Sequence, residues 1–114
     1  MQLNKFLQQL NDNPNAIEFE DTMAVIAANY HYQATAFDNG QTSNAAGSNE
    51  GSCKIFAFAL LNQLSVQQTL QCFGRFYHQD VLQNPAGNDH ANIRNFMLTG
   101  WEGITFQQTA LTAK

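Results

Sequence analysis

The chain has 114 residues, enough for one domain that buries roughly two-thirds of its unfolded surface without disulfide or metal staples. Charged residues are only 12% of it, against about 25% in a typical domain. The net charge is −4 and the five basic residues (Lys5, Lys54, Arg75, Arg94, Lys114) are scattered singly. That excludes nucleic acid and anionic membrane surfaces as partners, since both need clustered Lys and Arg.

Thirteen Gln and thirteen Asn carry the surface polarity instead, and that many heat-labile amides argue against a hyperthermophilic source. Leu3, Phe6, Leu7 and Leu10 recur at helical spacing, so residues 2–12 predict an amphipathic helix ended by Asn13-Pro14. This pattern differs from a signal-peptide core, and no apolar run is long enough to span a bilayer, so a cytoplasmic chain is expected. A second helix is predicted over 18–29, with Phe19, Met23, Ile26 and Tyr30 on one stripe. Glu18, Glu20 and Asp21 lie at its positive end, where dipole complementation explains them without a site.

Tyr30 to Phe37 loses the helical period, gains aromatic and β-branched residues, and precedes the turn signal Asp38-Asn39-Gly40, so a strand is expected there. The fourteen residues Asp38–Gly51 hold no large apolar side chain and read as a long loop, the best candidate for a site. An EF-hand reading fails for want of alternating ligands and a Glu at the twelfth position. From Ser52 onward, Ile55, Phe56, Ala57, Phe58, Ala59, Leu60, Leu61 and Leu64 leave almost no polar face, the mark of a helix packed on several sides.

Ser65 with Gln68 forms a capping box, and Val66, Leu70, Phe73, Phe76, Tyr77 and Leu82 continue a stripe predicting the longest helix up to Asn84-Pro85. Asp89 is expected to cap a further helix with Ile93, Phe96 and Met97 inward, closed by Gly100 with Trp101 behind it. Gly103–Phe106 alternates as a second strand. The expected fold is α+β, a predominantly helical single domain over residues 1–114 with about five helices and a small two-stranded antiparallel pair formed by 32–37 and 103–107. Ile55, Phe56, Ala59, Leu60, Phe73, Tyr77, Phe96 and Trp101 are the expected core.

The segments IEFEDTMAVI (17–26), AFDNG (36–40), NAAGSNEGSCKIFAFA (44–59), TLQCFG (69–74) and DHANIRNFMLTGWEGI (89–104) are together similar to those of the HopJ type III effector family, without a gap. The resemblance implies a small bacterial α+β domain, with export through a type III system implied by the family's name alone. It brings no catalytic residues with it.

Chemistry centres on Cys53, which also sits in a GSC-x-x-x-AF stretch that resembles the cysteine element of papain-like proteases. The 61 residues that follow are too few for the His and Asn of such a fold, and Lys54 stands where its aromatic residue would be. A smaller arrangement would use Cys53 as nucleophile, His90 as base, and Asp89, Asn92 or Glu20 as orienting group. Burial beside Ile55 and Phe56 is expected to raise the Cys53 pKa and to keep iodoacetamide from reacting faster than with a free cysteine.

Cys53, Cys72, His31, His78 and His90 show none of the paired spacings of zinc ligands, so no metal and no cofactor is expected, and Cys53 and Cys72 are expected as reduced thiols. The favoured function is a binding module, a monomer taking a protein or small-molecule partner. Its pocket would be built from the 38–51 loop and the first turn of the central helix, with Asn39, Asn44, Asn49, Ser52, Lys54, Asp89, Arg94 and Trp101 as binding residues and Phe37, Trp101 and Phe106 as aromatic lining.

Overall fold

The structure is a computed structural model that describes residues 2–114. The first helix, α1 (Leu3–Asp12), buries Phe6 and Leu10, and Phe6 meets Phe58 edge-on with ring centroids 5.7 Å apart. Pro14 turns the chain through a single 3₁₀ turn, Pro14–Ala16, into α2 (Phe19–Asn29). The acidic start of α2 is fully occupied. Asp21 accepts the Glu18 N–H at 3.0 Å, and Arg75 pairs with both Glu18 (3.1 Å) and Glu20 (3.2 Å). All of these groups are about half exposed or more, so the pairs fix geometry more than they stabilise.

The strand expected from Tyr30 to Phe37 is two strands belonging to different sheets. β1 (Tyr30–Tyr32) pairs antiparallel with β5 (Leu111–Ala113), Tyr30 facing Ala113. β2 (Phe37–Asn39) is the centre of a three-stranded sheet, between β3 (Thr42–Asn44) and β4 (Ile104–Phe106). The expected antiparallel association of residue 37 with the 103–107 region is present, with Phe37 opposite Phe106. The expectation of one pair is corrected to two small sheets. Residues 33–36 bridge them: the Gln33 N–H donates to Ala110 and the Gln107 N–H to Ala36.

The 38–51 stretch is likewise not all loop. Asn39 faces Thr42, leaving Gly40 and Gln41 as a two-residue hairpin turn. Gly40 has φ +58° while Gln41 stays at negative φ, the pattern of a type II′ turn that suits the right-handed twist of the flanking strands. The residues of β3, Thr42, Ser43 and Asn44, carry no apolar alternation, so the strand gives no hydrophobic signal.

The helix α3 (Glu50–Leu61) begins two residues earlier than the pattern suggests, with Asn49 as N-cap and Ser52 inside the first turn. It is the centre of the core: Ile55, Phe56, Phe58 and Ala59 have no solvent exposure. Phe56 contacts Phe37, Phe73 and Phe96 at centroid distances of 6.0, 5.7 and 4.9 Å, tying the three-stranded sheet to the later helices. Leu60, an expected core residue, is corrected to a surface position at 48% exposure, because the apolar run outlasts the packed part of the helix. Trp101 is only partly buried, against the edge of Phe96.

The expected longest helix is interrupted. α4 (Val66–Gln71) has the Ser65/Gln68 capping box, with the Gln68 N–H on Ser65 Oγ and the Ser65 N–H on Gln68 Oε1. It stops at Gly74, which takes φ +60° and lies so close to α2 that a Cβ there would meet the Phe19 nitrogen at 2.6 Å. The chain resumes as a π-helical segment, Phe76–Val81. α5 (Ala91–Thr99) follows, and its N-cap is His90, in the left-handed conformation with φ 51° and ψ 51°, rather than Asp89. Met97, expected inward on α5, and Leu82 are exposed.

Candidate functional site

Four asparagines from four different elements close into one amide network. Asn44 of β3 and Asn92 of α5 form a reciprocal pair, each Nδ2 donating to the other's Oδ1, at 3.1 and 2.9 Å. Asn39 of β2 donates to Asn92 Oδ1 at 3.0 Å and to its backbone oxygen at 2.7 Å, while Asn49 donates to Asn44 Oδ1 at 2.8 Å. Asn39, Asn44 and Asn92 are buried. Among the described residues, Asn39 Oδ1 is the buried acceptor of the network left without a hydrogen bond. A carboxamide suits this role because it carries a donor and an acceptor in one plane, so a chain of them can satisfy itself away from water.

The network fixes the starts of α3 and α5 side by side. A cavity of about 340 Å³ lies where they meet, lined by Asn49, Gly51 and Ser52 from one helix and by His90, Ala91, Asn92 and Ile93 from the other. Neither N-cap side chain caps its helix, since Asn49 turns to Asn44 and His90 turns away to Asp80. The first helical hydrogen bonds are Cys53 N–H to Asn49 and Arg94 N–H to His90. The preceding N–H groups, on residues 50–52 and 91–93, therefore have no helical acceptor and present two positive helix ends at one place. Phe19, Phe73 and Phe76 supply an aromatic wall.

His90 is the titratable side chain among these lining residues. Its Nε2 lies 3.0 Å from Asp80 Oδ2, and its ring packs on Phe76 at 5.3 Å. Asp80 and Phe76 both come from the π-helical segment. An adjacent clamp holds the approach to α5: Arg94 bonds Asp89 Oδ1 and the backbone oxygens of Asp89 and Asn84. The hydrogen bond from Arg94 holds the Asp89 carboxyl below the usual carboxylate range.

The residues singled out in the sequence divide clearly. Asn49, Ser52 and His90 line the cavity; Asn39 and Asn44 stand behind it as scaffolding. Asp89 and Arg94 are bonded to each other beside it. Lys54 sits over the Tyr32 ring at 4.7 Å, Trp101 donates its indole N–H to Leu64, and Glu20 is paired with Arg75, none of them lining the cavity. The aromatic lining is also corrected, since Phe37 is buried and stacks at 5.3 Å on the partly buried Phe106, and neither lines this cavity. Cys53 is not brought to His90 in the cavity. It is 1% exposed, its thiol directed at the Thr35 oxygen at 3.8 Å, and burial pushes its pKa up. Burial, with Cys53 and Glu50 beside it, also pushes the neighbouring Tyr32 up to about 12.

Asp80 and the Phe19, Phe73 and Phe76 wall are the features least legible in the sequence, where Asn92 stood out only as an orienting group for His90 and not as the centre of an amide network. The local signal for Asn92 was an amide in a first helical turn, weak by itself in a chain with thirteen asparagines. Among the described residues, no group of three or more His, Cys, Asp or Glu is placed to hold a metal ion, and no helix is long and apolar enough to cross a membrane.

The HopJ type III effector protein family model matches residues 3–111. A crystal structure described as that of an unknown function protein, VPA0580, is 61% identical, superposes with a TM-score of 0.99, and is matched over 100% of this chain and 95% of its own. No curated protein matches the chain.

Proposed function

This chain belongs to the HopJ type III effector family, and from that premise we propose that it is a binding module whose ligand enters the cavity between the N-termini of α3 and α5. One observation carries the reading: two helix starts, neither capped by a side chain, open on the same cavity. Unpaired N–H groups at helix ends favour an anionic or carbonyl oxygen. The Phe19, Phe73 and Phe76 wall favours an apolar or aromatic body attached to it. A small carboxylate, or the end of a peptide, combines the two.

The burial of Cys53 weighs against the alternative of a cysteine-dependent enzyme with Cys53 as nucleophile and His90 as base. We place the monomeric protein in the bacterial cytoplasm, with export through a type III system suggested only by the family name.

Titration of the ¹⁵N-labelled protein with sodium benzoate tests the binding reading. Amide shifts should concentrate on Gly51, Ser52, Ala91 and Asn92 and should saturate. Benzoate that leaves these four unmoved, or that shifts amides evenly over the surface, would remove the reading.

A further inference from the structure

We propose that the protein hydrolyses small carboxylic esters in this cavity, with His90 as general base and Asp80 orienting its imidazole. The proposal rests on the binding reading for the position of the substrate and goes beyond it in assigning chemistry. It starts from the backbone. Among the described residues His90 is one of three non-glycine residues at positive φ, and Asp80 lies in a π-helical segment. Both conformations are uncommon and gather at functional sites, where surrounding structure holds them in place. Here each carries one half of a 3.0 Å contact, in which His90 lines the cavity and Asp80 holds it from outside the lining.

The chemistry follows from what each group can donate. An ionised carboxylate only accepts, so Asp80 keeps the imidazole proton on Nε2 and leaves Nδ1 as the basic nitrogen. Nδ1 makes no hydrogen bond among the described residues, and the His90 side chain keeps 31% exposure to water. The other charged groups around the ring are the Asp89 carboxylate and Arg94, which are bonded to each other at 2.6 Å. Phe76 covers one ring face. This is a base held by an orienting carboxylate, lining the same cavity as the helix N–H donors that would receive a developing oxyanion.

The step balances without a further reagent. His90 Nδ1 takes a proton from water as the water oxygen bonds to the acyl carbon, and the carbonyl electron pair moves onto the oxygen facing the helix N–H groups. The carbon–oxygen bond to the alcohol then breaks and the proton on Nδ1 passes to the departing alkoxide. An acid and an alcohol result. Asp80 is a positioning residue and His90 the catalytic one.

The chain has three histidines, which makes the test internal. With p-nitrophenyl acetate the native protein should show saturable hydrolysis, retained in His31→Gln and His78→Gln. His90→Asn, chosen because Asn tolerates the left-handed conformation, should lose about 100-fold. In Asp80→Asn the rate should fall, and ¹⁵N imidazole shifts should show the His90 proton redistributing from Nε2 to both nitrogens, a change that a merely structural ion pair would not produce in step with the rate. The proposal fails if hydrolysis is no faster than that of free imidazole at three times the protein concentration, or if the loss is shared equally by the three histidine variants. Should benzoate still shift Gly51, Ser52, Ala91 and Asn92 while hydrolysis is absent, the binding reading stands and the catalytic one falls.

Discussion

At the scale of single residues the cavity depends on amides that never need to touch a ligand. Asn92 supplies two acceptors to Asn39, and its own amide pairs with Asn44 in both directions. Replacing it with alanine removes three buried hydrogen bonds, although Asn39 Nδ2 keeps the backbone oxygen of residue 92, Asn44 Nδ2 keeps Phe37 and Asn44 Oδ1 keeps Asn49. Each lost bond is worth about 0.5–1.5 kcal/mol net. Asn92→Ala should therefore lower unfolding stability by roughly 2–4 kcal/mol in urea titration. A loss below about 0.5 kcal/mol, the range of an ordinary surface substitution, would mean that water replaces the network at little cost. Asparagine-rich composition looked like surface polarity; at positions 39, 44 and 92 it is interior structure.

At the scale of elements, the break between α4 and the π-helical segment decides where Phe76 and Asp80 point. Continuous helical periodicity from Val66 to Leu82 would carry one stripe straight on; Gly74 stops it with positive φ and lets α2 approach its backbone. Gly47 makes a useful comparison. It too has positive φ, at +86°, but its missing Cβ would meet only the Glu50 carboxylate oxygen, at 3.8 Å. Gly74→Ala adds a backbone collision to the conformational strain, whereas Gly47→Ala adds the strain alone, about 1 kcal/mol. Thermal denaturation should show Gly74→Ala as much the more damaging, and equal melting temperatures for the two variants would refute the packing argument. The same reasoning separates β2 from β1: four residues without a ladder partner of their own let the chain change sheets at Gln33–Ala36, a step that pattern reading runs together.

At the scale of the whole molecule, stability should fall on the alkaline side. Cys72 is fully buried and its thiol is pushed up to about 12 by burial, Tyr32 is also raised to about 12, and Cys53 is raised. In each case the folded chain holds its proton at a pH where the unfolded chain gives it up. Stability is then complete below the ordinary thiol value of 9.0 and declines as pH climbs towards 12. The Cys72 thiol contributes a slope approaching about 1.4 kcal/mol per pH unit in that window. Cys72→Ala should shift the overall stability down by a cavity cost but make its decline between pH 9 and 10.5 visibly shallower. An unchanged slope would place Cys72 in contact with solvent.

Some of this was written in local sequence. The helical stripes of α1 and α2, the Ser65/Gln68 capping box and the all-round apolar run of α3 are set by side chains within a few positions of each other, so periodicity and capping chemistry disclose them. The HopJ resemblance was legible for the same reason, being carried by contiguous segments. What only the tertiary structure decided is which distant residues meet. Asn39, Asn44, Asn49 and Asn92 are indistinguishable from surface amides until β2, β3, α3 and α5 are placed together. His90 gains Asp80 only because a glycine at 74 re-aims the segment that carries Asp80. Leu60 and Cys53 lie in one apolar run, yet one faces water and the other is sealed. Burial is a property of packing between elements, and no pattern along the chain fixes where the packed part of a helix ends.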